Sequence, residues 1–215
     1  MQHHAVEERL ELAHTLRAAG PEAATLCGDW ATGQLAAHLV LRERSLCEVA
    51  GRLPVPALRR RAEAGIDSYL RQVGYPAAVD AVEAGPPVWS PLSLPPLREA
   101  INLLEYLVHH EDVRRAGASW TPRALPVARQ RAIWSRLRIA APLNLRGVAV
   151  GIELAWPSHG TILTWRARHG APVVTVTGDP VELVLLAFGR QRAAQLDYDG
   201  PAAEVAAVRG APIAI

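Results

Sequence analysis

The chain has 215 residues, 50% of them hydrophobic and 20% charged, with a formal net charge of +2. That balance excludes a disordered or nucleic-acid-coating protein and describes a globular one, long enough for one large domain or two small ones. All 23 basic residues are arginine, and the small net charge implies no partner.

The first residues, MQHHAVEERLELAHTLRAAG, carry acidic groups early and lack a basic stretch followed by an apolar one, so they do not read as a secretory signal. No uncharged apolar run reaches the roughly 18 residues that a bilayer span needs. A cytoplasmic protein with no membrane and no nucleic-acid partner is expected. Cys27 and Cys47 are then expected to be reduced thiols, and neither belongs to a Cys-x-x-Cys pair.

Apolar residues recur at helical spacing over residues 3–19, where Ala5, Leu10, Leu12, Ala13 and Leu16 share a stripe that Gly20-Pro21 stops. A turn, TLCGDW, precedes a second helix in which Thr32 is expected to cap the start and Gly51 the end. A third helical stretch, Pro56 to Glu83, is broken at Gly74-Tyr75-Pro76, because proline lacks the amide hydrogen that an inner turn requires. The proline-rich AGPPVWSPLSLPP reads as a connection. A fourth helix is expected from about Pro96 to Ala116, with proline in its first turn and Gly117 beyond its end. Four such helices form a bundle.

After Gly117 one more helix is expected within ASWTPRALPVARQRAIWSRLRIAAP. Three β-branched and aromatic segments then read as strands: GVAVGIELAW, GTILTWRA and APVVTVTG. DPVELVLLAFGR follows as a helix with Asp179 as its expected cap, and PAAEVAAVRG as a short last one. Helices first and strands later give an α+β chain with two expected domains, residues 1–118 and 119–215.

One stretch is chemically dense. EYLVHHEDVRR, from Glu105 to Arg115, holds two histidines and three carboxylates. At about 100° per residue, Glu105 and His109 share a face one turn apart, whereas His110 is rotated about 140° from Glu105 and is expected to be solvated. The Glu105 face also carries Ile101, Val108 and Asp112 and is expected to turn inward. In the second helix His38 shares its face with Leu35, Leu39 and Leu46, so it too is expected to look inward. Two imidazoles and a carboxylate can hold a divalent ion with open positions. Each can equally be a hydrogen-bonded interior residue, and physical reasoning alone leaves both readings open.

TLCGDWATGQLAAHLV, residues 25–40, resembles the Cys-x-x-Trp-x-x-x-x-Leu-x-x-His-Leu pattern of the mycothiol-dependent maleylpyruvate isomerase family, within the DinB-like metal-binding bundles. EYLVHHEDVRRA, residues 105–116, resembles that family's second motif, and VTGDPVELVLLAFGR its small sterol-carrier-like α/β domain. Residues 52–95 match only loosely, and the run His109-His110-Glu111-Asp112 departs from the family motif toward an actinobacterial metal-binding branch. The resemblance implies a DinB-like four-helix bundle followed by the sterol-carrier-like domain, with His38, Glu105 and His109 as metal ligands. It implies zinc as the metal and mycothiol as the thiol cofactor, acting on a small-molecule substrate in an isomerase or S-transferase reaction. Arg190 resembles a family arginine that faces the active site, where it would hold a carboxylate; a cation at a helix C-terminus is the rival reading. Asp112 would either orient His109 or pair with Arg115. Trp30 and Cys27 are expected to pack as interior residues. Two other classes stay open: a metal- or ligand-binding protein without turnover, and a metal-dependent hydrolase of thiol conjugates. No HExxH, GxSxG, GxGxxG or Walker pattern is present.

Overall fold

Residues 3–44, 56–94, 98–158 and 160–213 are described by a computed structural model, and they contain seven α-helices and four strands. Two compact units divide the chain, Met1–Thr121 and Pro122–Ile215. The first is helical; the second carries the sheet.

In the first unit, helix α1 (His4–Ala19) buries Ala5, Glu8, Leu12, Ala13 and Leu16, a stripe with helical period in which one carboxylate replaces an apolar side chain. Gly20 ends it at φ 78°, donating its amide to the Leu16 carbonyl. Helix α2 (Thr32–Arg44) begins differently from expectation. Thr32 is already helical and its hydroxyl donates to the carbonyl of Gly20, while the Gln34 side chain turns back to accept from the Ala31 amide at 3.1 Å. Glutamine thus supplies the closure expected of threonine. Leu46, Cys47 and Gly51 lie outside the described residues.

Helix α3 (Pro56–Ala84) kinks where expected: Gly74 has φ 76° and ψ 162°, two residues before Pro76. Tyr75 at the kink donates to the Leu16 carbonyl at 2.6 Å, tying it to the end of α1. The expected fourth helix is split. A π-helical turn spans Arg98–Asn102, and a regular helix α4 covers Leu103–Arg114. The wider turn changes the rotational phase, so Ile101, expected inside, is 44% exposed and Asn102 is buried instead. Glu99 of that turn accepts from the Ala5 amide at 3.2 Å, a carboxylate at the N-terminus of α1 where the helix dipole favours it. Helix α1 packs on α4 and α3, and α2 packs on α3.

In the second unit, helix α5 (Val127–Asn144) precedes a sheet of order β2-β1-β3-β4. Strand β1 (Gly151–Ser158) pairs antiparallel with β2 (Thr161–Arg168) and parallel with β3 (Val173–Thr177). A three-residue β4, Asp197–Asp199, joins β3 antiparallel and was not anticipated. Central β1 is buried along most of its length, while edge strand β2 exposes residues 161–164. Helix α6 (Pro180–Ala187) is buried throughout and packs on α5. Asp179 holds the cap position of α6 with extended backbone, but its side chain makes no capping bond. Helix α7 (Ala202–Gly210) packs on β3. Trp134 of α5 and Trp156 of β1 meet with ring centroids 5.9 Å apart. Gly151 permits the close start of β1, because a Cβ there would stand 2.4 Å from the Gly170 carbonyl oxygen.

Candidate metal centre

The α2 and α4 helices bring His38, Glu105 and His109 together. Glu105 Oε1 lies 3.6 Å from His38 Nε2 and 3.5 Å from His109 Nε2. One ligand atom from each residue falls within 4.8 Å of the others. The two imidazole rings meet edge to face, centroids 5.4 Å apart. Donors bound to zinc at ~2.0–2.1 Å in a tetrahedral arrangement stand about 3.3–3.4 Å apart. The spacing therefore suits such an ion without rearranging the helices.

Each of the three side chains has a polar or aromatic neighbour beside it. Asp112, one turn beyond His109, is fully buried and its Oδ2 lies 3.0 Å from His109 Nδ1. Of the two partners considered for Asp112 the structure places it beside His109, at the Nδ1 edge of the ring, while the Nε2 edge faces Glu105. Arg115 pairs with Glu111 instead, at 2.5 Å. Arg42 stands four residues after His38 on the same face, with Nε 3.1 Å from Glu105 Oε1 and Nη1 2.9 Å from Asn102 Oδ1. The i,i+4 spacing from His38 was visible in the sequence, but Arg42 was not singled out.

Trp30 is half-buried rather than interior, its ring 5.2 Å from that of His38. It forms a wall of the centre. Cys27 is also half-buried, and its thiol donates to Asp112 Oδ2 at 2.9 Å. The turn that carries it is pinned to α4 by the Leu26 amide donating to the Asp112 carbonyl at 3.1 Å.

His110 is 3% exposed and not solvated. Its Nδ1 lies 2.7 Å from Glu8 Oε1, and Thr15 Oγ1 lies 2.9 Å from its Nε2. The position rotated away from α2 faces α1, so consecutive histidines serve two different neighbours. Arg190, in the second unit, follows the end of α6 and donates to the Phe188 carbonyl at 2.6 Å.

The charges in the centre are coupled. Burial disfavours an ionised Glu105, but the Arg42 guanidinium, then hydrogen bonds from His109 and His38, hold its carboxyl well below the ordinary 4.5. Burial also opposes a charged His109, yet its bonds to Asp112, Cys27 and Glu105 raise it well above the ordinary 6.5. In the metal-free chain, the His109 contribution to stability is complete below 6.5 and is lost as pH rises through the raised value. That of Glu105 is complete above 4.5 and is lost as pH falls through the depressed one. The chelator-treated chain is accordingly expected to lose stability above neutral pH, read as a falling thermal midpoint. Zinc uptake at pH 7 is expected to release about one proton per chain, because the imidazole must be neutral to ligate. Calorimetry in buffers of different ionisation enthalpy measures that proton, and a buffer-independent heat would contradict it.

The fold has known counterparts. The chain aligns over 92% of its length, and 92% of the other chain, with the crystal structure of the mycothiol-dependent maleylpyruvate isomerase, at TM-score 0.57 and 18% identity. A histidine-to-alanine mutant of that isomerase aligns over the same shares at TM-score 0.55 and 17% identity. The sequence matches no family model and no curated protein. At these identities the likeness is one of fold. No helix among the described residues is long and apolar enough to cross a membrane.

Proposed function

We propose that the chain binds one divalent ion, zinc, through His38, Glu105 and His109, and uses it to activate the thiol of mycothiol in an isomerase or S-transferase reaction on a small electrophile. The observation that carries this reading is the spacing of the three donors about Glu105 Oε1, 3.5 and 3.6 Å, with His109 held from behind by Asp112. A zinc ion at such a centre supplies a Lewis acid that favours the thiolate over the thiol.

The chain's own residues prepare the centre. Asp112 holds the Nδ1 proton of His109 so that Nε2 is the ligating atom. Arg42 keeps Glu105 ionised and turns Oε1 toward both imidazoles. Trp30 covers one side of the His38 ring and limits water there. In this proposal Arg190 holds a carboxylate of substrate or cofactor, a task suited to a planar guanidinium. The four helices of the first unit constitute a DinB-like bundle, the second unit a sterol-carrier-like domain, and the protein works in the cytoplasm.

Metal analysis tests the centre. With the Cys27 thiol removed as a competing ligand, chelator-stripped Cys27→Ser protein reloaded with zinc is expected to retain about one ion per chain, and Cys27→Ser/His38→Ala far less than half of that with an unchanged far-ultraviolet circular dichroism spectrum. Equal zinc content in the two proteins would remove the centre. The thiol half is tested by following mycothiol's thiolate absorbance against pH, with and without zinc-loaded protein. A titration that protein does not shift would leave a metal-binding protein without this chemistry.

A further inference from the structure

We infer that Cys27, Asp112 and His109 Nδ1 form a second metal site, selective for soft ions, on the side of the His109 ring opposite Glu105. The three donor atoms meet one another: Cys27 Sγ is 2.9 Å from Asp112 Oδ2, Asp112 Oδ2 is 3.0 Å from His109 Nδ1, and Sγ is 3.6 Å from Nδ1. They come from three side chains of different chemistry, a thiol, a carboxylate and an imidazole, and lie within 4.8 Å of one another.

The placement is built into the fold. Thr25 Oγ1 accepts from the Cys27 amide at 3.1 Å and donates to the Trp30 carbonyl at 2.6 Å, closing the turn. Gly28 adopts φ 60° within it, and the Leu26 amide fastens it to the Asp112 carbonyl. Asp112 is fully buried while Cys27 is half-buried, so the thiol is the side from which an ion arrives.

The donor set decides the ion. Thiolate ligands select soft ions such as Cd²⁺ and Cu⁺ and also suit zinc, whereas the two-imidazole, one-carboxylate set has no sulfur. On binding, the thiol proton that Cys27 donates to Asp112 is released to solvent, and sulfur and carboxylate both turn to the ion. A neutral imidazole has one lone pair. When His109 ligates through Nδ1, that nitrogen gives up its proton and the one the neutral ring keeps is on Nε2, where Glu105 Oε1 at 3.5 Å can accept it. His109 then no longer serves the first set. The two sets are alternatives exchanged by the tautomer of one ring. This alternation rests on the first set being a zinc site, as proposed above; the sulfur site itself does not.

Cadmium alone is the probe. Titrating metal-free protein with Cd²⁺ is expected to produce a thiolate-to-metal charge-transfer band in the ultraviolet that saturates near one equivalent. The band is expected to vanish in Cys27→Ser and to persist in Cys47→Ser and His38→Ala, each verified as folded by circular dichroism. Cys27→Ala replaces the serine variant should that one unfold. A band that survives loss of Cys27, or that disappears with Cys47 or with His38, overturns the site. For alternation, Cd²⁺ added to zinc-loaded wild type is expected to release about one zinc per cadmium bound, read with a chromogenic chelator. Zinc retained alongside bound cadmium overturns the exchange. Should the wild type bind no zinc, the function proposed above fails while the cadmium band still reports on Cys27.

Discussion

Replacing Glu111 by alanine is expected to cost the first unit about 3–5 kcal/mol, the usual result of removing one partner from a buried ion pair. Glu111 is fully buried and its two oxygens each accept from Arg114 Nη1 at 3.1 Å, while Oε2 also accepts from Arg115 Nε at 2.5 Å. The Arg115 side chain is itself fully buried, its guanidinium 4.2 Å from the centroid of the Trp120 ring. Alanine at 111 would leave the buried Arg115 cation, and the partly exposed Arg114 beside it, without the carboxylate that offsets them. Urea unfolding of the full chain, read through the first unit's transition, measures the loss. Glu111→Leu combined with Arg115→Met is expected to recover much of it, since apolar replacement of both partners restores packing without an uncompensated charge. A single-variant loss under about 1 kcal/mol would show that water reaches these arginines.

The second large effect falls on metal affinity. Asp112→Asn is expected to weaken zinc binding about 10–100-fold, the range found when a carboxylate behind a ligating histidine is removed. The side chain keeps its size, but one of its two positions becomes an amide donor. Directed at His109 Nδ1, that donor would stabilise the tautomer with a proton on Nε2 and take the lone pair away from Glu105. Competition with a chromogenic chelator gives the affinity. A thermal midpoint recorded on the metal-free variant separates this loss from a general loosening. An affinity within twofold of wild type would mean that Asp112 serves packing and not the orientation of His109.

The meeting of His38, Glu105 and His109 was legible in the sequence because it follows from local geometry. Glu105 and His109 are one turn apart on a strongly patterned helix, and His38 sits between Leu35 and Leu39, which are both buried. The errors come from what a single helix cannot reveal. His110 was assigned to solvent because it points away from α2, yet α1 occupies that side and presents Glu8 from the middle of its apolar stripe. Ile101 was placed inside by counting back four residues from Glu105, a count that holds for an α-turn and not for the π-turn found there. Trp30 and Cys27 precede α2 on a turn, where no periodicity constrains direction, and both take positions beside the centre. Strand β4, with the sequence Asp197-Tyr198-Asp199, has aspartates at both ends and exists because β3 offers it an edge. The helix–strand order was readable from the change of pattern after Gly117, since period and β-branching alter together.

The wide turn ahead of α4 gives the chain slack in rotation. Because a π-turn accommodates one residue more than an α-turn, the stretch leading into Leu103 can lose a residue and tighten while α4 keeps its seating against α1. Asn102, bonded to Arg42 and to the Leu92 carbonyl, is the peg that this adjustment must spare. The four-residue interval from Glu105 to His109 enjoys no such tolerance, since one inserted residue there would swing the imidazole about 100° around the axis and toward the wrong neighbour. Length variation among natural or engineered versions of this protein should therefore collect before the helix and stay out of its first two turns.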